Sequence, residues 1–202
     1  MKALVAVALV TSGWLLARSE PEPEPTQNRI AQQVRTLAPP RRIGLDRIEA
    51  REAMATGRFA MPVATILNVG SPLHHGEFRW DEAGVPPGRI WISIDLHQQL
   101  ISVFRGGHEI GTAVILYGAD SNETPTGTFP ILAKLKSHHS AVYDGASMPY
   151  TLRLTSDGVS IHGSNVRNGY ATHGCIGVPV DFAAKLYAAA SKGDEVIIVA
   201  GK

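Results

Sequence analysis

From residue 61 onward, apolar residues recur at every second position between breaks of glycine and proline, and that period commits most of the chain to β-strands. Ile90, Ile92 and Ile94 alternate with Trp91, Ser93 and Asp95, and the polar stretch His97-Gln98-Gln99 leads into Leu100 to Phe104 as a hairpin would. Gly106-Gly107 makes the next turn, and Ile110 to Tyr117 reads as a further strand. Thr124-Pro125-Thr126-Gly127 is a turn that feeds a strand over Thr128 to Leu135. Thr151 to Thr155 and Val159 to His162 flank Asp157-Gly158, a strong hairpin signal. One helix follows. Pro179 sits near its start, Asp181 lies in its first turn, Phe182, Leu186 and Ala190 share a face, and Gly193 is placed to cap it. Glu195 to Val199 closes the chain as a strand. The fold class expected is mainly β, with one or two packed helices, over residues 61–202.

The N-terminal third has a different texture. Ala3 to Ala17 carries no charge, and Arg18 and Glu20 end the run. It is short for a membrane-spanning helix and suits a signal peptide or N-terminal anchor over residues 1–19. Leu15-Leu16-Ala17 is a poor small-x-small cleavage site, so a retained leader stays open beside a cleaved one. Pro21-Glu22-Pro23-Glu24-Pro25 is an extended, charged spacer. Ile30, Val34 and Leu37 share one face of a helix expected over 28–38, which Pro39-Pro40 stop. A second short helix is expected from Leu45 to Thr56, ending at Gly57. Residues 20–60 therefore read as a linker and helical stalk. The whole reads as an exported, periplasmic protein, anchored to the inner membrane if the leader stays uncleaved.

Nineteen basic and eighteen acidic side chains nearly cancel, which argues against a nucleic-acid partner. The single cysteine excludes an internal disulfide, so Cys175 is either a small buried hydrophobe or a reactive thiol. Its surroundings favour the thiol. Ile161-His162-Gly163-Ser164 and Thr172-His173-Gly174-Cys175-Ile176-Gly177 gather the cysteine, two histidines and three glycines. A free thiol is mostly protonated at neutral pH, and an imidazole from another strand or loop can take its proton and form an ion pair. His162, at the end of an expected strand, is placed for that role. His173, two residues before Cys175, shares its face if the stretch is extended. Gly174 lets backbone amides approach a substrate, so the amides of Gly174 and Cys175 are candidate oxyanion donors. The Gly163 carbonyl is free to accept from an imidazole nitrogen and fix the tautomer of His162. A zinc set of His162, His173 and Cys175 competes, but no carboxylate or second cysteine lies at ligand spacing. No metal and no cofactor is expected. His74-His75 and His138-His139 read as surface loop residues.

His-Gly-Ser at 162–164 followed by Thr-His-Gly-Cys at 172–175 resembles the signature of the L,D-transpeptidase catalytic domain family. Further matches lie in order: the hairpin Ile90 to Phe104, the turn Thr124-Pro-Thr-Gly-Thr-Phe129, Met148-Pro149-Tyr150, and Gly193-Asp-Glu-Val-Ile197. The resemblance covers residues 88–200 and implies an L,D-transpeptidase-like β-sandwich or mixed-sheet catalytic domain. It implies Cys175 as nucleophile, His162 as general base, the Gly163 carbonyl with Ser164 alongside orienting that base, and His173 and Gly174 at the oxyanion site. It implies Tyr150, Ser164 and Thr172 at the substrate.

The substrate class so implied is the tetrapeptide stem of peptidoglycan. The thiolate attacks the carbonyl of the third residue, releases the terminal D-alanine and leaves a thioester, and an amine of a neighbouring stem resolves it into a cross-link. Such an enzyme serves cell wall biogenesis and cell shape, and carbapenem-type inhibitors are expected to acylate the cysteine. Members commonly carry arginine or asparagine two residues after the cysteine, where this chain has Gly177; Arg153 or Arg167 is a candidate to supply the charge instead. Water in place of the amine gives an L,D-carboxypeptidase or cross-link hydrolase, and a non-catalytic wall-binding module is the reading from another class.

Overall fold

A computed structural model describes residues 41–118, 123–140 and 145–200. The leader, the Pro-Glu spacer and the helix expected over 28–38 lie outside the described residues. Among the described residues no helix is long and apolar enough to cross a membrane.

In chain order the elements are β1 (Arg42–Gly44), α1 (Arg47–Ala55), β2 (Thr65–Leu67), β3 (Phe78–Trp80), β4 (Ile90–Asp95), β5 (Leu100–Arg105), β6 (His108–Val114), β7 (Gly127–Pro130), β8 (Ala133–Leu135), β9 (Thr151–Arg153), β10 (Ser160–Ser164), β11 (Ile176–Pro179), α2 (Val180–Ala189) and β12 (Glu195–Val199). The larger sheet runs β1-β2-β6-β5-β4-β12-β7, with β3 also on β6; the smaller runs β11-β10-β9-β8. Among the described residues this is a mainly β architecture of two mixed sheets with two helices, as the alternation leads one to expect.

The inner face of the larger sheet, the smaller sheet and α2 share one apolar core. Ile92, Ile94, Ile101 and Ile110 meet Leu152, Ile161, Ile176 and Val178, and Phe182 and Leu186 close it from the helix. α2 ends at Ala189 with Ala190 as its C-cap. Gly193 is not that cap. It lies in the following turn at φ +92°, and its amide donates to the Ile131 carbonyl at 2.9 Å.

The expected strand over Thr128 to Leu135 is two strands in two sheets. β7 pairs with β12, and β8 pairs with β9. The crossing is made at adjacent residues: the Ile131 amide donates to Asp194 in one direction and the Leu132 amide to Arg153 in the other. Pro130 has no N–H to continue the first ladder.

Residues 41–60 are integrated with the sheets, where the sequence reading had a stalk ending at residue 60. β1 pairs with β2, and the Arg42 guanidinium donates to the carbonyls of Glu109 and Asp81. α1 starts on a capping box, Asp46 with Glu49, that satisfies amides otherwise left open at a helix start. Ala53, Phe59 and Val63 then cover Trp91, Phe104 and Ile197 on the outer face of the larger sheet. Phe59 meets the Phe104 ring edge-on at 5.5 Å, and Trp91 stacks on that ring at 4.2 Å. The compact unit accordingly includes residues 41–60. This explains why the face of β4 that alternation assigns to solvent is buried: Trp91 is 3% exposed and Ser93 is 7%.

Candidate active site

Alternation along the smaller sheet decides which side chains enter the core and which face away. In β10, Ile161 points into the core, so Ser160, His162 and Ser164 point to the opposite face. β11 runs parallel to β10, with Ile161 opposite Ile176 and His162 opposite Gly177. Cys175, one residue before β11, is therefore in line with Ser160, on the same face as His162. Both side chains line one cavity of about 690 Å³, with Ser164, Thr172 and His173 on its wall.

The loop that carries Cys175 is held from behind. Leu116 and Gly177 exchange backbone hydrogen bonds of 2.8 and 2.9 Å, and the Thr172 amide donates to the Tyr117 carbonyl at 3.0 Å. The buried Thr124 hydroxyl accepts from the Gly118 amide at 2.9 Å and donates to the Gly174 carbonyl at 3.0 Å. Gly174 itself is at φ +102°, a conformation that side chains with a Cβ rarely adopt. The Thr172 hydroxyl donates to the Cys175 carbonyl, so it spans the turn into the cysteine as well as facing the cavity.

His162 is 9% exposed, and its Nδ1 lies 3.0 Å from the Gly163 carbonyl oxygen. A carbonyl only accepts, so Nδ1 carries the proton and Nε2 keeps its lone pair. The Gly163 amide in turn donates to the Pro149 carbonyl at 2.8 Å. A Cβ at Gly163 would lie 3.0 Å from Pro149 Cγ and 3.3 Å from Val180 Cα, so only glycine lets this backbone turn its carbonyl to the imidazole undisturbed.

Burial pushes the His162 imidazole below its ordinary value; the Gly163 bond opposes this and a charge on His138 adds to it. Burial pushes the Cys175 thiol up, the Ser160 backbone opposes, and the Asp157 carboxylate adds to the rise. Both shifts favour the uncharged forms, and the ion pair that the sequence suggests would have to form against them. In keeping with that, the thiol rests against the Gly158 carbonyl, with Sγ 3.9 Å from the oxygen.

These two groups act on stability in opposite pH ranges. The depressed His162 contributes stability that is complete above about pH 6.5 and is lost as pH falls below it. The raised thiol contributes stability that is complete below about pH 8.5 and is lost as pH rises beyond it. Thermal midpoints measured from pH 5 to 10 should show both arms. His162→Gln is expected to flatten the acid arm and Cys175→Ala the alkaline one; arms unchanged by these substitutions would refute the burial argument.

Tyr150 is not brought to the cavity. It sits at φ +58°, with its ring 5.9 Å from that of Tyr187 on α2, packed against the core. His138, taken from the sequence as a surface loop residue, does line the cavity, and so does Arg153. His138 reaches it because residues 136–140 pair back with residues 146–150: the Tyr150 amide donates to the Lys136 carbonyl, that of Met148 to His138, and that of Ser140 to Ala146. No local pattern marks that pairing. Arg167 is turned to Asn165 Oδ1 at 3.1 Å instead. At Gly177 a Cβ would stand 3.0 Å from Ser164 Cβ, so the Ser164 side chain occupies the space a longer residue there would need. Among the described residues no group of three or more His, Cys, Asp or Glu is placed to hold a metal ion.

The family model of the YkuD L,D-transpeptidase catalytic domain matches residues 88–198. None of the curated proteins matches the chain. Among solved structures, an L,D-transpeptidase from Mycobacterium tuberculosis H37Rv is similar at a TM-score of 0.51 and 24% identity, over 55% of this chain and 57% of that one. One from Stackebrandtia nassauensis has a TM-score of 0.52 and 23% identity, over 61% and 60% of the two chains. An L,D-transpeptidase in complex with imipenem has a TM-score of 0.50 and 24% identity, over 55% and 58%. At these identities the likeness is one of fold, and this chain spans less than two thirds of each.

Proposed function

This chain belongs to the L,D-transpeptidase catalytic-domain family, and from that premise we propose that it cross-links peptidoglycan through a thioester on Cys175. The observation that carries the reading is the pairing of a cavity-facing thiol with an imidazole whose Nδ1 is committed to the Gly163 carbonyl. Such an imidazole has one free lone pair, on Nε2, and the thiol shares its cavity.

In the acylation step Sγ leaves the Gly158 carbonyl, gives its proton to His162 Nε2 and forms a C–S bond to the carbonyl of the third stem residue. Charge develops on that oxygen, for which the amides of Gly174 and Cys175, with His173 beside them, are the proposed donors. The C–N bond then breaks, His162 returns the proton to the leaving D-alanine nitrogen, and a thioester remains. An acceptor amine adds to the thioester, gives its proton to His162, and the C–S bond breaks to restore the thiol. Burial that pushes the thiol up favours proton transfer that accompanies attack. Ser164 and Thr172 face the same cavity and are the proposed substrate contacts; imipenem, held by the complexed relative, is expected to acylate Cys175 here.

Residues 1–19 as leader or anchor and the Pro-Glu segment as spacer support a site of action outside the cytoplasm, at the wall, with the domain tethered to the inner membrane if the leader stays. The experiment is incubation of the full chain with tetrapeptide-bearing muropeptides, followed by mass spectrometry. Cross-linked dimers are the expected product. Shortened monomers alone would make the enzyme a hydrolase, and no turnover would leave a binding module.

A further inference from the structure

We propose that Arg153 is the residue that selects donors ending in a free carboxylate, by holding that carboxylate beside Cys175. The proposal rests on the transpeptidase reading and adds to it the group that recognises the end of the donor.

The argument is one of register. Arg153 lies opposite Ser160 in the antiparallel β9–β10 pair, and Ser160 is in line with Cys175 by the parallel β10–β11 pair. Residues in one row across a sheet project to one face. Leu152, next along β9, is fully buried in the core, so Arg153 points the other way, into the cavity that Cys175 and His162 line. Arg153 is thus two strands from the nucleophile, about 10 Å between backbones, with its side chain free to span part of that gap. In a donor whose last residue is expelled, the terminal carboxylate is one residue, about 3.8 Å of backbone, beyond the scissile carbonyl. A guanidinium meets a carboxylate with two parallel hydrogen bonds, so it fixes position as well as charge.

Three observations single out Arg153. Its guanidinium has no ion pair among the described residues, whereas Arg41, Arg89 and Arg105 each have a carboxylate partner. Arg167 is turned to Asn165. Position 177 cannot supply a cation, because the space for a side chain there is filled by Ser164. Asp157, on the turn between β9 and β10, puts a carboxylate on the same cavity. The site is therefore bipolar and not a general anion sink, and a free anion is expected to bind poorly while a correctly placed peptide terminus binds well.

The test compares a tetrapeptide donor with its C-terminal carboxamide, on the wild-type chain, Arg153→Gln and Arg153→Lys. A charge-assisted hydrogen bond predicts that wild type prefers the free acid by about tenfold to hundredfold in kcat/KM. Arg153→Gln is expected to bring that ratio close to one, chiefly by losing rate on the acid, and Arg153→Lys to keep part of the preference. Alkylation of Cys175 by iodoacetamide and the thermal midpoint should be unaltered in both variants, since Arg153 is exposed. An acid-to-amide ratio that Arg153→Gln leaves intact overturns the anchor and spares the transpeptidase reading. A wild-type chain inert on both donors overturns the reading and the anchor together.

Discussion

Cys175→Ala is expected to abolish product formation from tetrapeptide donors, a loss of at least about a thousandfold, while the thermal midpoint at neutral pH moves little. The two halves of this result have separate causes. Without sulfur no thioester forms, and the remaining groups of the site can only polarise a carbonyl for water. The fold, by contrast, gives up almost nothing. Cys175 is only partly buried, and the thiol's contact is a long one to the Gly158 carbonyl. The loop keeps its shape through backbone and through Thr124 and Thr172, none of which the substitution touches. Mass spectrometry of muropeptides and a thermal melt on the same preparation read both halves. Turnover that survives the substitution would remove Cys175 from the mechanism. A large drop in the midpoint would instead make the cysteine a packing residue.

Phe182→Ala is expected to have the largest effect on stability, about 3–5 kcal/mol, which is a large share of the stability of an ordinary domain. Phe182 is fully buried. Its ring meets Trp80 at 5.4 Å and Phe78 at 5.8 Å, both edge-on, and so ties α2 to β3 on the larger sheet. The space around it is already close-packed: a Cβ on Gly111 would fall 2.3 Å from Trp80 and 3.2 Å from Phe182. Collapse into the vacated volume is therefore restricted, which puts the cost toward the upper end of the usual range. Because α2 follows β11 without a break, loosening it also frees the strand that sets Cys175 beside Ser160. The fall in midpoint should reach about 10 °C in a thermal melt. A shift of only a degree or two would mean that α2 is not a principal support of the two-sheet core.

The candidate site was legible in unusual detail because its chemistry is written in rare residues. One cysteine, two histidines and their glycines fall within sixteen positions, and Nδ1 of His162 lies 3.0 Å from the Gly163 carbonyl oxygen. What escaped that reading came from chain segments that meet only in space. His138 reaches the cavity because residues 136–140 pair with residues 146–150. Tyr150, close to His162 in sequence, is drawn instead to Tyr187 on α2. Residues 41–60 read as a stalk because their apolar residues are few and widely spaced, yet Ala53 and Phe59, with Leu45 beside them, join Val63 in covering a sheet face that already carries Trp91 and Phe104.

Local alternation settles, without any partner strand, that Ile161 and Ile176 go one way and His162 and Cys175 the other, since side chains on an extended backbone must alternate. The residue types likewise carry the thiol chemistry in themselves. Tertiary structure alone decided that β10 and β11 lie side by side and parallel, in the register that aligns Cys175 with Ser160 and, through it, with Arg153. Parallel neighbours share no turn, so nothing local records their register, and it is the packing of α2 against both sheets that holds it.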